Sequence, residues 1–275
     1  MKCDSLGDRM KRYESTSKIY LMRRTPVIIR LDGKAFHTFT RGMNKPFDKI
    51  LMCVMQGTMK SLCEQIQGCV FGYTQSDEIT LVLTDYKTIQ TDAWFDYGVQ
   101  KMVSVAASLA TVEFNRILYD ELSYSIHDYV DTEGDSGEWN YLLEFQKKIF
   151  KATFDARAFS VPKEDVCNCL IWRQQDATRN SIQAVGQAHF SHKQLQGKSC
   201  DMIQDMLWTE KGINWNDIPT ECKRGSACYR VEKEETIKDP YGDGTVTVQR
   251  KQWVIDREIP VFTQDRNYIE RLIFN

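Results

Sequence analysis

The run Pro26-Val27-Ile28-Ile29-Arg30-Leu31, broken off at Asp32-Gly33, constrains the fold of this 275-residue chain more than any other stretch. It is short, branched and almost continuously apolar, which predicts a strand covered on both faces. Two further strands, Cys69–Tyr73 and Glu78–Leu83, flank Thr74-Gln75-Ser76-Asp77, a connection short enough for a hairpin. Between the first strand and that hairpin, Phe47, Ile50, Leu51, Val54, Met55, Met59, Leu62 and Ile66 form one helical stripe, which Gly68 ends. A long helix follows, with Trp94, Phe95, Val99, Met102, Val103, Ala106, Leu109 and Ile117 in phase. Tyr124–Tyr141, rich in Asp, Gly and Ser, reads as a loop, and Lys151–Val161 as a further strand. Strand, helix, strand, strand, helix, strand is the ferredoxin-like or palm order: an α+β fold whose antiparallel sheet carries helices on one face.

The flanks add to this frame. Leu6–Tyr20 has helical character. Beyond Pro162 the spacing predicts helices over Lys163–Phe190 and Ser191–Lys211. Cys228–Thr236 and Thr245–Asp256 alternate around the turn cluster Asp239-Pro240-Tyr241-Gly242-Asp243-Gly244, predicting a projecting β-hairpin arm, and Gln264–Phe274 a closing helix. The chain divides into a palm domain over 1–162 and a helical region with the arm over 163–275, or forms one continuous domain.

Composition sets limits on partners. No run of about 18 apolar residues exists to span a membrane, and no apolar leader segment follows the start, so a cytoplasmic protein is expected. The nine cysteines are odd in number and scattered, as reduced thiols are. Cys167-x-Cys169 with His189-x-x-His192 fits no compact zinc module. A net charge of −2 leaves any nucleic-acid binding to local basic patches.

Asp32 ends a buried strand and Asp77 sits in the hairpin turn. Each alone is a turn residue. In a palm sheet the two termini are neighbours, and a converging aspartate pair suits magnesium: few carboxylates, hard oxygens, room for water and phosphate. Two ions roughly 4 Å apart on such a pair activate a hydroxyl and stabilise a leaving group. Gly33-Lys34-Ala35-Phe36-His37, directly after the first aspartate, can turn backbone N–H groups toward a triphosphate, although its spacing matches neither a Walker loop nor a dinucleotide fingerprint.

Arg30-Leu31-Asp32-Gly33-Lys34-Ala35-Phe36-His37-x-Phe39, Lys45-Pro46 and Tyr73-x-Gln75-Ser76-Asp77-Glu78 resemble the tRNA-His guanylyltransferase superfamily of 3′-to-5′ RNA polymerases. So do Phe154-Asp155-Ala156-Arg157, Trp172-Arg173-Gln174-x-Asp176, Gly212-Ile213-Asn214-x-Asn216 and Lys223-x-Gly225, in consistent order over about residues 15–230. The resemblance implies a metal-dependent nucleotidyltransferase that activates a tRNA 5′-phosphate with ATP or GTP and then adds nucleotides to that end. It implies that Asp32, the Gly33 carbonyl and Asp77 bind Mg2+, and that Asp32–His37 with Ser76 cradles the triphosphate. Glu78 would support the metal site, and Lys45 and Lys101 would contact phosphate. Two departures stand out. Thr178-Arg179-Asn180-Ser181 replaces the His-Ile-Asn-Asn motif of members dedicated to tRNA-His, which favours templated 5′-end repair over addition of one guanine. Gly98 replaces an arginine, with Arg23, Arg24 or Arg30 as substitutes.

Arg173, Arg179, Lys193, Lys198, Lys223 and Arg224, with Asn180, form a candidate tRNA-binding face. The arm balances Arg230, Lys233, Arg250 and Lys251 against Glu232, Glu234 and Glu235, which suits contact with another subunit in a dimer or tetramer. A palm-type nucleotide cyclase and a silent tRNA-binding relative are the competing readings.

Overall fold

The alternation in β1 (Val27–Gly33) sets the layers, because successive strand residues point to opposite faces. Val27, Ile29 and Leu31 enter one core and Ile28 the other, all fully buried. The computed structural model describes residues 5–132, 136–238 and 244–274. Its sheet runs β4-β1-β3-β2-β5-β6, with β2 (Cys69–Gln75), β3 (Glu78–Leu83), β4 (Phe154–Ser160), β5 (Ser226–Lys238) and β6 (Thr245–Asp256). Every neighbouring pair is antiparallel, and the first four strands stand in the ferredoxin-like order expected from the sequence.

On one face lie α3 (Lys49–Gln65) and α4 (Val99–Thr132), which carry Val54, Met59, Leu62, Met102, Ala106 and Phe114 into the larger core. The opposite face is covered by α6 (Lys163–His189) and the C-terminal helix (Arg266–Phe274), which bring Val166, Leu170, Tyr268 and Ile269 against Ile28, Phe71, Tyr73 and Val82. Residues beyond 162 therefore complete the same sheet on its second face and along its β2 edge. Each fully buried aliphatic side chain contributes about 1.5–3 kcal/mol, so the apolar part of β1 anchors a strand that ends in a carboxylate.

Several elements differ from expectation. The helix predicted from Trp94 begins only at Val99, because Phe95, Asp96 and Tyr97 turn through φ of 51°, 52° and 55°. That turn docks the N-terminal segment: the Leu21 N–H donates to the Tyr97 carbonyl at 3.0 Å and the Val99 N–H to Ile19 at 2.9 Å. The first helix, α1 (Leu6–Ser15), correspondingly stops short, freeing Tyr20 to bridge Gly98. The loop read over Tyr124–Tyr141 is instead helix. α4 continues to Thr132 and α5 (Ser136–Gln146) follows, with 133–135 outside the described residues. Buried Leu122, Leu142 and Phe145 hold these helices to the core, while the Ser123 and Ser125 hydroxyls fold back onto the Tyr119 and Glu121 carbonyls.

The helix expected over Ser191–Lys211 splits into α7 (His192–Leu195) and α8 (Cys200–Lys211), with Gly197 at φ 74° between them and Ser199 capping the second. The hairpin arm forms as predicted but is rooted in the sheet. Ser226–Tyr229 pairs with Thr74–Phe71 of β2, and from Arg230 outward β5 pairs with β6 alone. Its turn, residues 239–243, lies outside the described residues.

Candidate active site

Three strands bring the chemistry together by register. Asp32 stands opposite Glu78 on β3 and Asp155 on β4. Two residues back on the same face, Arg30 stands opposite Thr80 and Arg157, and then Ile28 opposite Val82 and Phe159. The face is thus striped, acidic at the end of β1, basic behind it and apolar behind that.

Asp77 joins the acidic row from the β2–β3 turn, where Ser76 adopts φ 50°. The Gly33 N–H donates to the Asp77 carbonyl at 3.1 Å, tying the end of β1 to the turn. Burial pushes the Asp77 carboxyl above its ordinary value; the charge of Asp32 adds to this, and the Ser76 hydroxyl, donating at 3.0 Å, opposes it. Two carboxylates at a partly dehydrated edge favour a cation between them. Among the described residues no group of three or more His, Cys, Asp or Glu converges as a closed metal cage. The donor set is two aspartates beside the Gly33 backbone, leaving positions for water and phosphate oxygens, and its chemistry fits magnesium.

Glu78 faces basic partners. Burial raises its pKa, and Arg173 and then Arg30 pull it back down. Arg173 is only 5% exposed, with Nε 2.8 Å from Glu78 and a terminal nitrogen 2.5 Å from Asp176. Its Nε–H misses a directed hydrogen bond, so the contact with Glu78 is chiefly Coulombic. Trp172 lies over both guanidinium groups, 4.1 Å from Arg173 and 5.4 Å from Arg30. Glu78 is thereby fixed as a counter-ion, and Arg173, expected on an RNA-binding surface, is a buried brace.

The segment after β1 is held by its backbone. The Lys34 N–H donates to Thr153 at 2.9 Å, Ala35 takes φ 56°, and the short α2 (Phe36–Phe39) follows. Phe36 faces inward rather than toward a ligand, packing on Phe39, Phe114 and Phe154 with ring centroids 4.8, 5.5 and 5.3 Å away. A side chain at position 33 would meet the Phe36 ring at 2.3 Å, so only glycine fits there. Lys34, Ala35 and His37 are exposed along the outer side of this loop.

Beside Ser76 opens a cavity of about 160 Å³, walled by Pro46, Phe47, Leu51, Gln75 and, from α6, Asn180 and Ser181. Lys45 is exposed immediately before this wall. Asp48, which sequence reasoning passed over, fixes the wall. It caps α3 through the Leu51 N–H at 3.0 Å and accepts from the Asn44 N–H at 2.9 Å and the Tyr141 hydroxyl at 2.6 Å. An aspartate just ahead of a helical stripe was the available signal.

Other residues lie elsewhere. The middle of α4 reaches the catalytic edge, where Thr111 accepts from the Phe154 N–H at 3.2 Å. Lys101 is ten residues earlier, about 15 Å along the helix, with its ammonium 4.5 Å from the centroid of the Phe95 ring. Gly98 shares that far end. There Arg23 pairs with Asp85 and Asp96, both at 2.8 Å, and Arg24 with the carbonyls of Asp85 and Thr88, so of the substitutes for the absent arginine only Arg30 stands near Asp32. Lys223 is buried, its ammonium bonded to the Asn216 carbonyl, and Arg224 is half-buried with its own carbonyl accepting from Tyr73 at 2.7 Å. The exposed polar set thus reduces to Arg179, Asn180, Lys193 and Lys198, with Arg179 2.7 Å from Asp176. Cys167 and His189 stand at opposite ends of α6, about 30 Å apart along its axis, and burial raises the Cys167 and Cys169 thiols.

The family described as tRNAHis guanylyltransferase matches residues 7–162. The structure of a bacterial tRNAHis guanylyltransferase-like protein in complex with ATP is 40% identical, with a TM-score of 0.80, covering 98% of this chain and 99% of that one. A second such structure, in complex with GTP, is 37% identical with a TM-score of 0.72, covering 99% and 100%. A probable tRNAHis guanylyltransferase of Dictyostelium discoideum is 25% identical over 249 residues, 86% of each chain.

Proposed function

The chain belongs to the tRNAHis guanylyltransferase family of nucleotidyltransferases, and from that membership we propose that it repairs tRNA 5′ ends by templated addition of nucleotides. The observation that carries this reading is the Asp32–Asp77 pair, tied together through Gly33 and flanked by the exposed loop after β1 and by Ser76, which lines a cavity. In the first step a 5′-monophosphate is activated with ATP or GTP and pyrophosphate leaves. In the second, the 3′-hydroxyl of an incoming nucleotide attacks the activated 5′-phosphorus and the nucleoside monophosphate departs. Asp32, Asp77 and the Gly33 carbonyl would hold magnesium, which when bound would supply positive charge beside the reacting hydroxyl and phosphates. Lys34, His37, Ser76 and Lys45 position the triphosphate, and the cavity beside Ser76 takes a base. Glu78 acts through Arg173 and Arg30, keeping the basic row behind the carboxylates in place.

Thr178-Arg179-Asn180-Ser181, where dedicated enzymes carry His-Ile-Asn-Asn, supports templated repair. The D. discoideum relative supports the second reading, addition of one guanine to tRNA-His. The working unit is a homo-oligomer. α1 buries none of its residues and exposes Leu6, Met10 and Tyr13 on one side, and an isolated ten-residue helix is marginal in water. No described helix is long and apolar enough to cross a membrane, and a cytoplasmic site of action is proposed.

The test supplies magnesium, labelled nucleoside triphosphates and two substrates, a tRNA lacking its first nucleotide and an intact tRNA-His. Growth of the truncated tRNA supports repair, and growth of tRNA-His alone supports single guanylation. A cyclic nucleotide, or binding with no product, overturns both.

A further inference from the structure

α6 does not end at the catalytic edge. Past Asn180, two more turns carry Gln183 and Gln187 to a second cavity of about 460 Å³, at the corner where α6 meets α7 and α8. Gln187 lies fourteen residues beyond Arg173, about 21 Å along the helix. The corner is rigid. Gly186 lets α6 and α8 approach so closely that a Cβ there would sit 2.8 Å from Ile203. A capping box holds α7, with the Ser191 N–H donating to Gln194 at 3.0 Å.

The lining has a definite chemistry. Buried Phe190 and Ile203, with half-buried Leu195, supply an apolar floor; Gln183, Gln187, Gln196, His192 and Lys198 stand at the rim. No carboxylate among the described residues lines the cavity. Among the described residues, no hydrogen bond within the protein occupies the side chains of those three glutamines or of His192. Amides that both donate and accept match the edges of a base, an ammonium matches phosphate, and the apolar floor suits a flat ring. The size fits a single nucleotide.

We propose that this corner receives one unpaired nucleotide of the bound RNA, holding the strand whose 5′ end lies at Asp32 and Asp77. The inference rests on the proposed function for its RNA, but not on the transfer step.

The test uses the full chain with Gln183→Ala and Gln187→Ala combined, and separately Lys198→Ala. A fluorescently labelled tRNA lacking its first nucleotide reads binding by anisotropy, and kcat and the nucleotide KM are read at saturating tRNA. Two lost hydrogen bonds are expected to weaken tRNA binding about tenfold, with kcat and nucleotide KM unchanged. Lys198→Ala should weaken it less and flatten its salt dependence. Unchanged tRNA affinity in both variants overturns the proposal. So does a raised nucleotide KM with tRNA affinity intact, which would make the corner a site for free nucleotides. A wild-type protein that binds tRNA but extends nothing sinks the proposed repair activity and leaves this binding test readable.

Discussion

The catalytic edge and the hairpin arm belong to one sheet and are built in opposite ways. At the edge, backbone ties and buried ion pairs fix a few side chains: Gly33 to Asp77, Arg173 to Glu78 and Asp176. In the arm, β5 and β6 pair over a ladder from Ala227↔Asp256 to Lys238↔Thr245, yet most side chains beyond the root are exposed. Regular backbone pairing gives reach without a core, whereas burial gives precise placement at an electrostatic cost. Function that needs sub-ångström positions belongs at the first, and function that needs extent belongs at the second.

The sharpest way to break the contrast is at Asp77. Asp77→Ala should lower nucleotide transfer by at least about a thousandfold, some 4 kcal/mol of barrier, with the far-UV dichroism unchanged. Retained activity would remove the metal assignment. Arg173→Met tests whether the edge depends on its brace. Removing one partner of a buried ion pair typically costs about 3–5 kcal/mol, read as a lower denaturant midpoint, and Arg173→Lys should recover only part because a point charge cannot span two carboxylates.

The pH dependence of Asp77 is a subtler measure. Its folded pKa is raised above the ordinary 3.8, so the folded protein holds that proton more tightly than the unfolded chain. This contribution favours folding at low pH and is lost as pH rises from about 3.8 through the folded value; beyond that the ionised group is a standing cost. Cation-free Asp77→Asn should therefore melt above cation-free wild type at neutral pH, and the gap should close in acid. In the arm, deleting residues 234–248 should leave Tm nearly unchanged and lower the solution mass by light scattering. Arg179→Ala, losing an exposed pair, should change stability by less than about 1 kcal/mol.

The carboxylate pair was legible because strand endings and short turns are local signals, and the palm order makes two such endings neighbours. The buried fate of Arg173 and Lys223 was not, since a charge enters a core only beside partners that distant segments supply. Here those partners are Glu78 for the arginine and the Asn216 carbonyl for the lysine. The helix over Tyr124–Thr132 was obscured by serines that usually mark loops but here bond back within the helix. Phe36 sat inside a stretch assigned to a ligand as a whole; its aromatic partners Phe114 and Phe154 come from far along the chain. The arm's strands were evident from alternation, whereas its attachment to β2 depends on a pairing no local pattern encodes.

The striped face has one more consequence. A slip of one residue between β1 and its neighbours would turn Asp32 and Arg30 into the layer of Val54 and Met59 and expose Leu31, stranding two charges in oil. Such a chain would not become a well-folded but inactive protein; it would fail to fold at all. Quality control by simple unfolding therefore also inspects the catalytic row, and any molecule that passes as folded carries Asp32 facing the right way.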